Sequence, residues 1–288
     1  MSMQDREEKN KILPGVLYLV ATPIGNLADI SERALKTLSG VDYIAAEDTR
    51  NTLKMLTFFG ISKPLVSYYE HNKRERGESI IKSLKEGKAW ALVTDAGTPA
   101  ISDPGEDLVR LCAEEGIPVT LVPGACAVIN ALALSTLSAR RFVYEGFLEG
   151  KKREKAEYLN FMKNEKRTMV FYESPHNLTE TLQLMAEAFG DDRRISLCRE
   201  LTKLNEEVMR VSLGEAVRYY EENAPRGEYV LVVEGASENH EGDFWATMTV
   251  EEHLEHYLSL GLSKMDAIKQ VAKDRGVPKG VIYKQLID

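Results

Sequence analysis

Five short apolar runs constrain this chain more than any other feature: VLYLVAT (16–22), VDYIAA (41–46), LVSYY (65–69), AWALVT (89–94) and VTLV (119–122). Each is apolar almost throughout rather than alternating, as expected of a strand covered on both faces. The stretches between them read as helices. Asp29 or Ser31 caps the first, and the second carries Leu53, Leu56 and Phe59 on one face. Further helices are expected at 73–86, about 106–115 and 125–137, and Gly40, Gly60, Gly87 and Gly116 close four of the five. Strands joined by helix-sized crossovers predict a mostly parallel sheet with helices on both sides.

After Arg140 the pattern changes. FVYEGFL (142–148), TMVFY (168–172), RISLCRE (194–200), EEVMRVSL (206–213) and EYVLVVEG (228–235) read as strands, and Glu206 to Val211 alternates as a half-exposed antiparallel strand does. A second α/β domain with a mixed sheet is therefore expected. The polar segment ASENHEGDF (236–244) then leads to helices at about 249–260, 263–274 and 279–287. The expected fold is α/β with two α/β domains, 1–140 and 141–236, a cleft between them, and a linker with a helical tail over 237–288.

The 288 residues are enough for this organisation. Three cysteines, Cys112, Cys126 and Cys198, lack paired spacing and suggest a reducing compartment. The charged start MSMQDREEKNK has no apolar core of a signal peptide. Residues 116–139 carry no charge, but Pro123-Gly124 divides them into pieces too short to span a bilayer. A cytoplasmic protein with no membrane partner is expected. Net charge is −8, yet Leu262 to Asp288 holds six Lys/Arg (Lys264, Lys269, Lys273, Arg275, Lys279, Lys284) against three Asp, and Lys151, Lys152, Arg153 and Lys155 form a second basic cluster. Local patches on an acidic body suit limited phosphate contact, or are simply solvated helix faces.

If the first five strands are parallel, their C-terminal ends share one edge, where open α/β sheets bind ligands. Those ends read TPIGNL (22–27), EDTR (47–50), EHN (70–72), DAGTPAISDPG (95–105) and PGACA (123–127). Neither GxGxxG nor GxxxxGK[ST] is present, there is no GxSxG elbow, and no His/Cys group has metal spacing, so no metal is expected. His253 and His256, at i, i+3, read as surface residues. Small residues and backbone dominate the loop at 95–105, which suits an adenosine-like ligand held by main-chain groups and apolar contacts.

TPIGNL, AEDTR, YYEHN, TDAGTPAISDPG and VPGACA, followed by VFYESPHNL (170–178), CRELTK (198–203) and RGEYVLVVEG (226–235), resemble the tetrapyrrole-methylase superfamily of S-adenosylmethionine-dependent enzymes. PIGN and GTP stand where tetrapyrrole-modifying members carry GPGDP-type and GDP loops, so the chain is more similar to the branch acting on small-subunit ribosomal RNA. The resemblance implies a homodimer that binds S-adenosylmethionine between two α/β domains. It implies 2′-O-ribose methylation of a cytidine in the decoding region of 16S rRNA, in naked rRNA or the assembled small subunit. It also implies cofactor contacts at Pro23, Asp95, Gly97, Thr98, Ile101, Ser102, Cys126, Ala127, Tyr172, Glu173 and Leu201. A side chain added at Gly97 is expected to fill the ligand's space and leave the fold intact.

The acceptor hydroxyl needs a group to take its proton. Glu47, Asp48, Arg50 and His71 are the catalytic candidates, with Glu70 and Asn72 beside them. A carboxylate–arginine grouping serves equally as an ion pair that fixes a loop, and the residues alone do not choose. The tail reads as helix–turn–helix, with Ala267, Ile268, Val271 and Ala272 inward and Val281 and Ile282 anchoring the last helix. Its lysines would meet phosphate or merely coat a cap on the fold. Two rival functions are a tetrapyrrole methylase and a non-catalytic, nucleoside-sensing nucleic-acid-binding regulator.

Overall fold

The structure, a computed structural model, describes residues 10–236, 245 and 248–286. The charged start (1–9), the expected linker from 237 to 244, and 287–288 lie outside the described residues. Two compact units emerge, residues 1–235 and 236–288.

The first sheet contains β1 (Leu17–Val20), β2 (Tyr43–Ala46), β3 (Leu65–Ser67), β4 (Trp90–Val93) and β5 (Val119–Val122). Every pairing is parallel, in the order β3-β2-β4-β1-β5. One face packs on Ala34 and Leu38 of α1 (Glu32–Gly40) and Leu56 of α2 (Thr49–Phe58). The other takes Ile80 and Leu84 of α3 (Lys73–Lys85) and Leu108 and Cys112 of α4 (Gly105–Glu114). Burial on both faces explains the continuous apolar runs of β1, β2 and β4, whereas the edge strands differ: β3 is half-buried and β5 exposes Thr120 and Leu121. Ser31, not Asp29, caps α1, its Oγ accepting from Ala34 N at 3.1 Å; Asp29 ends a short 3-10 turn. On α2 only Leu56 of the expected stripe is buried, and Leu53 points outward, because the ten-residue helix meets the sheet along a narrow line.

The second sheet is mixed, in the order β6-β7-β10-β8-β9. It contains β6 (Phe142–Phe147), β7 (Thr168–Glu173), β8 (Arg194–Arg199), β9 (Glu207–Ser212) and β10 (Tyr229–Val233). Strands β6 and β7 are parallel and the other pairs antiparallel. One face is covered by α6 (Lys152–Met162), α7 (Leu178–Phe189) and α8 (Leu213–Glu222), through Leu159, Leu182 and Ala216. The opposite face, Val170, Val230 and Val232, packs on Val128, Ala131 and Leu132 of α5 (Ala127–Leu134). A helix that follows the first sheet thus covers the second, which joins both halves in one compact unit. The uncharged stretch resolves into β5 and α5, and no helix among the described residues is long and apolar enough to cross a membrane.

The smaller unit holds α9 (Val250–Ser259), α10 (Lys264–Asp274) and α11 (Lys279–Gln285) around Leu254, Ala267, Ile268, Val271, Ala272 and Ile282. Val281 is exposed, since the neighbouring Ile282 takes the inward position on this two-turn helix. His253 is not a surface residue. Its ring is buried, stacks on Trp245 with centroids 5.4 Å apart, and places Nε2 3.2 Å from Asp274 Oδ2. Arg275 donates to Met248 O (2.7 Å), Thr249 O (2.9 Å) and His253 Nδ1 (3.2 Å). That arginine therefore serves the fold of the tail rather than phosphate.

Candidate active site

Parallel pairing aligns the C-terminal ends of β1 to β5, and strand order decides which loops meet. Strand β1 sits between β4 and β5, so the loops after all three are neighbours. Thr22 and Gly97 form a two-way backbone bridge, Thr22 N to Gly97 O at 2.9 Å and Gly97 N to Thr22 O at 3.1 Å. Thr98 Oγ1 donates to Ala125 O at 3.3 Å. These loops form one wall of a cleft of about 580 Å³ whose other wall comes from the second sheet. That volume accommodates a ligand of nucleoside size.

Ten of the eleven expected cofactor contacts line this cleft: Asp95, Gly97, Thr98, Ile101, Ser102, Cys126, Ala127, Tyr172, Glu173 and Leu201. Pro23 does not; it is buried in the turn, and the adjacent Ile24 faces the cleft instead. Glu173 reaches the lining with its carboxylate engaged, accepting from Ser174 N (2.7 Å) and Thr181 Oγ1 (2.6 Å). A side chain at Gly97 would also strain the loop, against the expectation that the fold stays intact. Gly97 has φ +83, and a Cβ there would lie 3.2 Å from Ile24 Cγ2 and 3.5 Å from Ala125 O. Backbone conformation and loop packing therefore favour glycine here, whatever room a ligand needs.

The loop after β4 holds two further left-handed residues, Ala100 (φ 66) and Ser102 (φ 59), neither of them glycine. Each is hooked. Asp103 Oδ1 accepts from Ala100 N (3.1 Å) and Gly105 N (2.7 Å), while Ser102 Oγ lies 2.9 Å from the Tyr144 hydroxyl on β6. Asp103 Oδ2 is buried with no hydrogen-bond partner among the described residues. Burial pushes the Asp103 carboxyl up from its ordinary value, against the pull of the Gly105, Ala100 and Ile101 amides.

Among the catalytic candidates, Glu47 lines the cleft. Thr94 Oγ1 donates to its Oε2 at 3.1 Å. Partial burial raises the Glu47 carboxyl above its ordinary value, the Thr94 bond opposes this, and Asp95, Asp103 and Asp48 add to the rise. The structure does not bring Asp48, Arg50 or His71 to the cleft lining. Asp48 caps α2, accepting from Arg50 N (2.8 Å), and pairs side chain to side chain with Arg50, Nη2 to Oδ2 at 2.8 Å. The Arg50 hydrogen bonds hold the Asp48 carboxyl down at about 2. His71 follows β3, the edge strand, two places from β4, and it is exposed beside Tyr69. Sequence reasoning missed Ile24, Asp103, Phe147, Lys203 and Tyr229 in the lining. Asp103 could have been found as the second acid of its loop; the others depend on how the sheets face each other.

An S-adenosylmethionine-like ligand suits these residues. Ile24, Ile101, Leu201 and Val230 line the cleft with apolar surface, the small residues at 95–98 leave backbone near it, and Glu47, Asp95 and Asp103 add acidic groups. The unpartnered Asp103 oxygen is the clearest sign that a donor or cation is wanted there.

Comparison with known proteins agrees. Residues 16–217 match the family described as Tetrapyrrole (Corrin/Porphyrin) Methylases. The chain is 49% identical over 284 residues to ribosomal RNA small subunit methyltransferase I of Halalkalibacterium halodurans, covering 98% of this chain and 96% of that one. The protein of the same name from Bacillus subtilis is 48% identical, with 93% of each chain covered. Among solved structures, the methyltransferase CobJ (TM-score 0.58, 17% identity, 79% of this chain and 96% of that one) shares the fold. So does uroporphyrin-III-C-methyltransferase from Thermus thermophilus, with TM-score 0.55, 19% identity, and coverage of 76% and 94%. With the cleft, both sheets and this match spanning most of its length, the chain belongs to the tetrapyrrole (corrin/porphyrin) methylase family of methyltransferases.

Proposed function

We propose that this chain methylates small-subunit ribosomal RNA, transferring a methyl group to the ribose 2′-hydroxyl of a cytidine in the decoding region. The observation that carries this reading is the cleft lining: Glu47 stands beside the loop at 95–103 in a chain whose relatives, 49% and 48% identical, are named as methyltransferases of small-subunit rRNA. Bound S-adenosylmethionine supplies an electrophilic methyl group. The chain's own residues do the rest. Asp95, Gly97, Thr98, Ile101 and Ser102 hold the cofactor from the first sheet, Cys126 and Ala127 from the start of α5, and Tyr172 and Leu201 from the second sheet.

Holding both reactants in line is the largest contribution, about 7–11 kcal/mol in favourable cases. Glu47, its carboxyl raised toward neutrality by burial, takes the hydroxyl proton, a contribution of roughly 10²–10⁴-fold. The Asp48–Arg50 pair fixes the start of α2 behind Glu47, and His71 stands farther along the same edge as an acceptor-side contact. We assign cofactor and acceptor loops to residues 1–140, closure of the cleft to 141–236, and RNA recruitment to the tail from about Thr247. The enzyme acts as a cytoplasmic homodimer on rRNA or the small subunit. Exposed Leu121 on β5 and exposed Ile129 and Leu134 on α5 are apolar positions available for self-association.

Transfer of isotope from methyl-labelled cofactor to small subunits or rRNA, read as 2′-O-methylcytidine after digestion, tests the reading. Label appearing on uroporphyrinogen instead, or on neither, overturns it.

A further inference from the structure

Strand β6 breaks the alternation of its sheet. Val143 pairs with Met169 and packs toward α6 to α8, whereas Tyr144 pairs with Val170 on the opposite face, toward α5 and the cleft. Regular alternation would bring residue 146 opposite Tyr172 and turn residue 147 away from the cleft. The register instead skips Glu145, so that Gly146 pairs with Phe171 and Phe147 with Tyr172. Gly146 has φ +65, and a Cβ there would sit 3.4 Å from Ser102 Oγ, so glycine suits both the bulge and the close approach of the opposite wall.

The consequence is an aromatic side chain delivered into the cleft. Phe147 lines it beside Tyr172, ring centroids 5.5 Å apart, and is still 55% exposed, while Val170 and Val230 on the same sheet face are buried. From the other wall Ile101 lines the same cleft and is 51% exposed. Bulges recur next to active sites, where they re-aim a side chain. A bare phenyl face in a ligand cleft is the kind of surface on which unstacked bases lie.

We propose that Phe147 is a stacking platform for a nucleobase, either that of the acceptor ribonucleotide or the adenine of the cofactor. The proposal rests on the methyltransferase reading above and names one contact within that site. The sequence gives no hint of it, because without the bulge this phenylalanine would face away.

The test compares Phe147→Ala, Phe147→Leu and Phe147→Trp in the full chain. S-Adenosylhomocysteine affinity is measured by calorimetry, and the KM and kcat for small-subunit rRNA by isotope transfer. Removal of one base–aromatic stack should weaken one of the two ligands about 5- to 150-fold. Trp should keep wild-type values within about twofold, and Leu, apolar but not flat, should resemble Ala. A weakened S-adenosylhomocysteine constant assigns the platform to adenine; a raised acceptor KM with that constant intact assigns it to the acceptor base. Unfolding midpoints close to wild type exclude general damage. Both constants unchanged in Phe147→Ala, or full activity in Phe147→Leu, overturns the proposal. If wild type methylates no small-subunit rRNA, the rRNA reading fails by itself, and the calorimetric arm decides the platform: unchanged affinity overturns it as well.

Discussion

The Tyr144 hydroxyl lies 2.9 Å from Ser102 Oγ, so a strand of the second sheet holds the loop that follows β4 of the first. Ser102 sits at φ 59, a conformation that costs a non-glycine residue about 1–2 kcal/mol. This hydrogen bond helps to keep it there. Tyr144→Phe should weaken cofactor binding several-fold, by about 0.5–1.5 kcal/mol for one lost hydrogen bond. Calorimetric titration of the variant checks this, and an unchanged constant would mean that the loop's other bonds, from Asp103, Thr98 and Gly97, hold it without Tyr144.

Gly97→Ala should lower stability and cofactor affinity together. At φ +83 the added Cβ costs about 1–2 kcal/mol of backbone strain and presses on Ile24. Paired thermal unfolding and cofactor titration check the linkage. Weaker affinity at full stability would restore the simpler idea that the side chain fills the ligand's space.

Glu47→Gln should lower turnover by roughly 10²–10⁴-fold and change cofactor affinity far less. The sign of the pH dependence follows from the raised carboxyl. A base works only when deprotonated, so the wild-type rate should rise as pH climbs through the raised Glu47 value and then level off. The variant should lack that rising limb in single-turnover rates. Asp48→Asn and His71→Ala should matter less, since neither side chain lines the cleft. If all three keep wild-type rates, none of them is the base.

Neutralising Lys264, Lys273, Lys279 and Lys284, all exposed, should flatten the salt dependence of rRNA binding. The slope should fall by up to about 0.7–0.9 for each lysine that meets a phosphate. Cofactor affinity should hold. Binding isotherms at several salt concentrations, on subunits and on naked rRNA, decide the matter, and an unchanged slope on both reduces these lysines to a solvated face.

Arg275→Ala should unfold the helical tail selectively. It removes the donor to Met248 O and Thr249 O, carbonyls that are partly or fully exposed, so the loss is that of ordinary hydrogen bonds, about 0.5–1.5 kcal/mol each. The tail should also weaken in mild acid. Burial lowers the His253 value in the folded state, so the stability this neutral ring carries is complete above its unfolded value and lost as pH falls through the folded one. Hydrogen exchange over residues 249–286 at two pH values reads both effects.

Much of this protein is fixed by local pattern. The apolar runs locate the ten strands among the described residues because burial on both faces, or one, leaves its period in the chain. The loop after β4 is legible because a backbone that must turn left-handed and approach its neighbours leaves small residues behind; the cofactor contacts are implied by the family resemblance, and ten of the eleven line one cleft. Strand order is not local. Only the tertiary structure puts β3 at the edge, taking His71 away, and β2 beside β4, bringing Glu47 in. A one-residue bulge on β6 likewise decides which face Phe147 presents, and α5 crosses to cover the second sheet because its apolar residues complete that core. His253 is buried and Arg275 half-buried, polar as both are in sequence, because each finds partners across helix boundaries. Local periodicity specifies elements; long-range pairing specifies which of their ends meet, and the chemistry of the cleft depends on the second.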